Sequence, residues 1–270
     1  MEKSYSYIQH RQLDQMSLNG ASVRYGQQPD IAGYWKTIVE CDSKTARETL
    51  ISKLLEKMEE NSEQNGFWGS QEELRITFGI GTNSIHLDDK NIYFSFFENL
   101  RNTYLDSKEK GIEKPEGTMA VNSIYTTIEN YFGAFNGDLD KRLELTELDF
   151  DTFEYPSVEV LKGQGCGACV EKAAVAHNLW LLMGRESYYA CSTSAKFENS
   201  SDEGHAFCMI KNQKGNFMLY DHAMGNFGAL QGDPVETLLS GQPLIIGQPF
   251  QNHGVYANAC NLEQNVAPNE

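Results

Sequence analysis

Residues 163–169 read Gly-Gln-Gly-Cys-Gly-Ala-Cys, and an apolar stretch with helical character follows them as far as Gly184. Nearly every face of this stretch is apolar, which is typical of a helix buried at the centre of a domain. The pattern therefore predicts a helix over 168–183 with Cys169 on its first turn. Backbone N–H groups point outward there and the helix dipole is positive, and both effects favour a thiolate. The same N–H groups can bind an oxyanion.

Two stretches downstream supply the partners that a reactive thiol needs. His205 opens an alternating pattern that predicts a strand over 205–212, and Asp221 ends a second predicted strand over 216–221. Two antiparallel strands joined by a short turn place the start of the first opposite the end of the second. We therefore expect His205 and Asp221 to be neighbours, with the carboxylate orienting the imidazole.

At these residues the chain resembles the transglutaminase-like superfamily, whose members are relatives of the papain-like cysteine enzymes. The family pattern is Gly-x-Cys-x-x-x-Ala, an apolar helix that ends in Gly, a His-Ala-aromatic strand, and a later Asp. The matching residues of this chain are Gly167, Cys169, Ala173, Gly184, His205, Ala206, Phe207 and Asp221. Phe207 stands where Trp is commoner in the family, and His222 stands where many members have Pro. The resemblance covers the segment 160–225 and leaves the first 110 residues unmatched.

The resemblance implies roles for individual residues and a fold. Cys169 would be the nucleophile, His205 the base and Asp221 the orienting acid, in thioester chemistry on an amide or ester. Gln164 is a candidate oxyanion donor, because papain-like enzymes use a Gln slightly upstream of the nucleophile. The implied fold class is α+β, with a papain/transglutaminase-like core in which a buried Cys-bearing helix packs on a small antiparallel sheet. No metal and no organic cofactor is implied.

Cys166 and Cys169 also form a C-x-x-C pair, which leaves other chemistry open. A redox motif of this kind needs an apolar strand directly before it, and the segment 160–165 is short and rich in glycine. A zinc site needs a second set of ligands at close spacing, and no second C-x-x-C is present. Cys166 is nevertheless a candidate redox partner, which could form a reversible disulfide with Cys169 and switch the enzyme off.

The remaining pattern divides the chain into three regions. Residues 1–115 are predicted to form a mainly helical region of unknown role, with a clear helix over 43–62 and an irregular segment over 1–42. Residues 116–250 are predicted to form the transglutaminase-like catalytic core. Residues 251–270 are a polar tail rich in Asn and Gln, which is expected to fray.

The amino-acid composition limits the kinds of partner and the cellular location that we expect for this protein. The formal net charge is −16 over 270 residues, which argues against nucleic acid because phosphate binding needs a basic surface. No apolar run approaches the roughly 18 residues of a membrane span, and the N-terminus has no apolar core of a signal peptide. Six cysteines in a chain of this length do not predict a disulfide framework. We therefore expect a cytoplasmic protein, although export without a cleaved signal would leave the same pattern.

These observations favour a cysteine-dependent hydrolase or acyl transferase that acts on protein or peptide amides. Hydrolysis, as in a protease, amidase or deamidase, is preferred because no dedicated amine site is visible. The alternatives are transglutaminase-type amine transfer and a catalytically silent binding protein that keeps the fold. A thiol redox protein built on the C-x-x-C pair is a further hypothesis.

Overall fold

The computed structural model describes residues 22–26, 31–65, 74–78, 81–87, 89–135, 137–146, 154–195, 203–212 and 214–247. These residues form a mixed α+β fold, as the sequence predicts at this coarse level. Their α-helices are α1 (Tyr34–Glu40), α2 (Lys44–Asn65), α3 (Asn91–Glu109), α4 (Glu116–Phe132), α5 (Leu139–Thr146), α6 (Cys169–Leu182) and α7 (Pro234–Leu239). Their strands are β1 (Ser22–Gly26), β2 (Leu74–Phe78), β3 (Gly81–His86), β4 (Glu154–Ser157), β5 (Ser187–Ala195), β6 (Glu203–Lys211), β7 (Phe217–Asp221), β8 (Asn226–Leu230) and β9 (Ile246–Gly247).

The larger of two sheets has the strand order β1-β5-β6-β7-β8-β9, and each neighbouring pair is antiparallel. β6 and β7 form the expected hairpin, with Cys208 paired to Tyr220. Asn212 closes the turn, because its side-chain oxygen accepts hydrogen bonds from the backbone N–H groups of Lys214 and Asn216 at 2.9 and 3.0 Å. The pairing brings the end of β7 alongside the start of β6. The smaller sheet has the order β2-β3-β4.

Helix α6 lies in the centre of the core, as its sequence predicts. All residues from Val170 to Leu182 are buried. The helix packs on β6, where the Cys208 thiol donates a hydrogen bond to the carbonyl oxygen of Ala173 at 3.1 Å. The chain leaves the helix at Gly184, which has a φ of 70° and where a Cβ would lie 2.6 Å from the Cα of Ala32. Only glycine fits both the left-handed backbone and this close approach.

The prediction that residues 1–42 are irregular is wrong for the part of them that the structure describes. β1 pairs with β5, Ser22 lying opposite Cys191, and so forms one edge of the larger sheet. α1 follows and buries Trp35. A five-residue strand carries little local signal, because its formation depends on a partner strand that is distant along the chain.

The hydrophobic core is continuous across the predicted boundary between residues 115 and 116. One cluster of buried side chains extends from Ile31 to Phe227 and includes members from both regions. The proposed division into regions stays a prediction, and the tail over 251–270 lies outside the described residues. Within the described part of the chain, none of the helices has the length and apolar character needed to cross a membrane.

Candidate active site

The loop before α6 is fixed to the end of α4 by its glycines. The backbone N–H groups of Gly163 and Gly165 donate hydrogen bonds to the carbonyl oxygens of Tyr131 and Phe132 at 2.8 and 2.7 Å. Both glycines have a φ of 70°, a conformation that other residues rarely adopt. At Gly167 a Cβ would lie 2.7 Å from the Phe132 ring. The glycines therefore let the loop lie against α4, which holds the start of α6 in place.

Cys169 is the first residue of α6 and is only partly buried. The N-cap residue Ala168 has an extended backbone, and its N–H donates to the Glu171 carboxylate at 2.8 Å. Glu171 is completely buried, and its other oxygen accepts from the Arg142 guanidinium at 2.5 Å. The first N–H groups of a helix have no partner within the helix, so the backbone around Cys169 is suited to binding an oxyanion.

His205 and Asp221 are in direct contact, as the hairpin argument predicts. His205 Nε2 lies 2.8 Å from Asp221 Oδ2, and the carboxylate is fully buried. The other carboxylate oxygen accepts from the backbone N–H of Met224 at 3.2 Å. The Cys169 side chain is a second hydrogen-bond partner of His205. The structure therefore brings Cys169, His205 and Asp221 together in one chain of hydrogen bonds.

The protonation of His205 follows from its neighbours. Burial opposes a charged imidazole, but the hydrogen bonds with Asp221 and Cys169, together with their charges, outweigh it and raise the pKa of His205 from 6.5 to about 10. At neutral pH the ring is therefore an imidazolium. An imidazolium in contact with a cysteine stabilises the thiolate, which is the nucleophilic form.

The two other residues singled out from the sequence lie in the same loop. Gln164 is half-buried, and its backbone N–H donates to the carbonyl oxygen of Leu161 at 3.1 Å. Its role as an oxyanion donor stays a prediction. Cys166 is fully buried, and burial raises the pKa of its thiol. This makes Cys166 less reactive than an ordinary thiol, which disfavours rapid disulfide exchange with Cys169.

A second polar network lies beside the triad. His222 follows Asp221 but is turned to α4, where its Nε2 lies 2.8 Å from Glu129 Oε1. Lys172 Nζ contacts the same oxygen at 3.3 Å, and the Tyr125 ring lies on the imidazole with centroids 4.6 Å apart. Burial is the main reason that the pKa of His222 is lowered, and the hydrogen bond from His222 is the main reason that the pKa of Glu129 is lowered. His222 is thus a structural neighbour of the triad.

Sequence reasoning missed the residues that support the start of α6 from outside the motif. Glu171 stands three positions after Ala168, the position from which a Glu commonly bonds back to the N-cap N–H, so a local signal for it existed. Arg142, Glu129 and Lys172 carry no comparable signal, because their partners come from other helices.

Among the described residues, no group of three or more His, Cys, Asp or Glu side chains could hold a metal ion. In comparisons with known proteins, no family model, curated protein or solved structure matches the chain.

Proposed function

We propose that this protein is a cysteine-dependent hydrolase that cleaves an amide bond of a protein or peptide through a thioester intermediate. One observation carries the proposal. His205 bridges a buried carboxylate, Asp221, and a partly exposed thiol, Cys169, at the N-terminus of a buried helix. A nucleophile, a base and an orienting acid in contact are the geometric signature of covalent acyl transfer.

The geometry supports a definite sequence of steps. The Cys169 thiolate attacks the carbonyl carbon, and the electron pair of the carbonyl moves to the oxygen. Backbone N–H groups at the start of α6, with Gln164 as a candidate helper, stabilise that oxyanion. The His205 imidazolium then gives its proton to the leaving amine as the carbon–nitrogen bond breaks. A thioester with Cys169 and a neutral His205 remain.

In the second half of the reaction, a water molecule hydrolyses the thioester. Neutral His205 removes a proton from the water as its oxygen attacks the thioester, and the thiolate leaves, which restores the imidazolium–thiolate pair. Asp221 keeps the ring oriented throughout. The same intermediate would give amine transfer if an amine replaced water. The packing of a Cys-bearing helix on an antiparallel sheet that carries His and Asp also supports a papain/transglutaminase-like core.

The first test is the rate at which iodoacetamide labels Cys169 at pH 6, with mass spectrometry to locate the site. An ordinary thiol of pKa about 8.5 is only about 0.3% thiolate at this pH. Contact with an imidazolium favours the nucleophilic form of a cysteine, although a stabilised thiolate is intrinsically less nucleophilic. We expect labelling about 30- to 100-fold faster than that of Cys41, a partly exposed cysteine outside the site that serves as the reference in the same sample.

The variants separate the alternatives. His205→Ala should reduce the labelling of Cys169 to the rate of Cys41 and leave Cys41 unchanged. Cys166→Ser should retain the fast labelling of Cys169 and any hydrolytic activity. A thiol redox protein would instead lose its activity when Cys166 is replaced. Labelling of Cys169 at the Cys41 rate in the wild type would leave a binding protein as the better interpretation.

A further inference from the structure

The candidate triad is assembled from two parts of the fold. Cys169 begins α6, whereas His205 and Asp221 lie on the neighbouring strands β6 and β7. The hydrogen bond between Cys169 and His205 therefore depends on where the first turns of α6 lie relative to the ends of these strands. Reacting groups work well only when they are held within about 0.5 Å of the productive geometry. A side chain that fastens α6 to the sheet at this end would therefore control the reactivity of the thiol.

The sheet side of the triad is fastened through His222, the residue after Asp221. Its side chain is buried and both ring nitrogens have partners: Nε2 donates to Glu129 Oε1 at 2.8 Å, and Nδ1 lies 3.4 Å from the Tyr220 hydroxyl. The Tyr125 ring of α4 also packs on the imidazole, with the two ring centroids 4.6 Å apart. Because a hydrogen bond and a ring contact join the imidazole to α4, the end of β7 that carries Asp221 is held against that helix.

The helix side of the triad is fastened through Lys172. This residue lies one turn after Cys169 on α6, and residues three positions apart share a face of a helix. Lys172 Nζ lies 3.3 Å from Glu129 Oε1, the same oxygen that His222 contacts. Only 6% of the Lys172 side chain is exposed, and a buried ammonium without a counter-charge is strongly destabilising. The ion pair is therefore a persistent link between α4 and the first turns of α6.

Glu129 joins the two links at one carboxylate oxygen. The hydrogen bond from His222 is the main reason that the pKa of Glu129 is lowered, so Glu129 is a carboxylate at neutral pH. Burial lowers the pKa of His222, so its imidazole is neutral at this pH. A carboxylate, an ammonium and a neutral imidazole carry no net charge together, which suits their largely buried position. A single side chain of α4 therefore connects α6 with the end of β7.

We propose that Glu129 is a positioning residue that keeps the Cys169 sulfur in hydrogen-bond contact with His205 by holding the first turns of α6 against the end of β7. This inference rests on the proposed function and adds to it a residue outside the sequence motif. Glu129 makes no bond to the substrate; it acts on the nucleophile through Lys172 and on the acid through His222. Without the carboxylate, α6 and the sheet would still pack through their apolar residues, but the distance between sulfur and imidazole would no longer be fixed.

The test replaces Glu129 by Ala and follows iodoacetamide labelling of Cys169 from pH 6 to alkaline pH, with Cys41 as the reference in the same sample. We expect Glu129→Ala to label about 10- to 100-fold more slowly than the wild type at pH 6, the scale of loss for a misplacement of about 1 Å. The difference should shrink at alkaline pH, where an ordinary thiol ionises without an imidazolium. The ring protons of His205 should titrate below the wild-type pKa of about 10, because one of the partners that raise it is displaced.

Two further variants test the links separately. Lys172→Met removes the link to α6 and should also slow labelling at pH 6, and combining it with Glu129→Ala should cause little further loss, because both changes break the same link. Glu129→Gln keeps a hydrogen-bond acceptor for both partners and should retain more of the fast labelling than Glu129→Ala. Circular dichroism identifies any variant that fails to fold, and Lys172→Met carries the test if Glu129→Ala does so.

Glu98→Ala is the matched control. One oxygen of the Glu98 carboxylate also accepts two hydrogen bonds, both from the Arg47 guanidinium, and the pair joins α3 to α2. The Glu98 side chain is 38% exposed, against 30% for Glu129. Loss of this ion pair away from the triad should lower the free energy of unfolding in urea without changing the labelling of Cys169 or the titration of His205.

The two proposals fail in different ways. If wild-type Cys169 reacts with iodoacetamide no faster than Cys41 at pH 6, the proposed function itself is wrong. If wild-type labelling is fast but Glu129→Ala and Lys172→Met match it at every pH, the positioning role is wrong and the nucleophile stands. Slowing by the same factor at every pH would indicate altered access to Cys169 and would overturn the positioning role, as would an equal loss of labelling in Glu98→Ala.

Discussion

Replacing Asp221 by Asn removes one negative charge from beside His205 and keeps the size of the side chain. In the wild type, burial opposes the imidazolium, and the contacts with Asp221 and Cys169 nevertheless raise the pKa of His205 to about 10. An opposite charge within hydrogen-bond distance changes a pKa by about 1–3 units. His205 in Asp221→Asn should therefore titrate about 1–3 pH units below the wild type. At about 1.4 kcal/mol per pH unit, the imidazolium loses about 1–4 kcal/mol of stabilisation.

The sign of the pH dependence follows from the direction of the change. The pKa of His205 in the folded protein lies above its unfolded value of 6.5. Considered for this residue alone, its contribution to stability is fully present below pH 6.5 and is lost as the pH rises through about 10. In Asp221→Asn, His205 should lose its proton at a lower pH, so its contribution to stability should also be lost at a lower pH. In the proposed mechanism, the imidazolium that would protonate the leaving amine should be lost over the same range of pH.

The measurement is a titration of the histidine ring protons by NMR spectroscopy. The chain has six histidines, and the signal of His205 is identified by its absence in His205→Gln. His177, which is fully buried and bonded to Ser187 at 2.9 Å, reports on the fold and should keep its signals in Asp221→Asn. A wild-type His205 that titrates near 6.5, or one whose titration Asp221→Asn leaves unchanged, would refute the electrostatic argument for the triad.

Two further predictions concern the support of α6. Glu171→Gln should destabilise the protein by about 3 kcal/mol in urea unfolding, because it removes the buried carboxylate charge that the Arg142 guanidinium contacts. The double variant with Arg142→Met should recover part of that loss, whereas simple additivity of the two single losses would contradict the pairing argument. Gly167→Ala should lower the free energy of unfolding by about 1–3 kcal/mol in thermal unfolding, since its Cβ would lie 2.7 Å from the Phe132 ring. The same substitution should cost less in a chain that also carries Phe132→Leu, because the smaller side chain relieves the clash. Equal losses of stability with Phe132 and with Leu at this position would show that the close approach is not the cause.

The triad could be predicted because each of its parts depends on short-range patterns. The apolar run after Cys169 identifies a buried helix, and alternation on both sides of a turn identifies a hairpin. Antiparallel pairing then determines which ends of the strands meet. The proximity of His205 and Asp221 therefore follows from the hairpin alone and needs no information about contacts between distant parts of the chain. The hydrogen bond of 2.8 Å between them agrees with that reasoning.

The polar supports could not be predicted in the same way. Arg142 lies in a segment that is acidic as a whole, and nothing local indicates that its guanidinium reaches Glu171, which is on another helix. Glu129 and His222 are also far apart along the chain, and their contact depends on how α4 lies against the sheet. A single sequence shows the charges and their spacing but not which elements of secondary structure contact each other, so ion pairs between distant helices are identified only from the folded structure.

The region before residue 116, which has no role assigned from its sequence, contributes to the geometry of the site through α4. The glycine loop before Cys169 rests on the end of α4. α4 is in turn held by α3, where the Asn99 amide donates a hydrogen bond to Thr127 at 2.9 Å. The start of α4 is joined to the end of α6 by an ion pair of 3.0 Å between Glu116 and Arg185. β1 adds the edge strand that pairs with β5. A chain that began at residue 116 would expose the face of α4 that packs on α3 and would leave one edge of β5 without its partner strand. The glycine loop before Cys169 would then rest on a helix that α3 no longer holds in place.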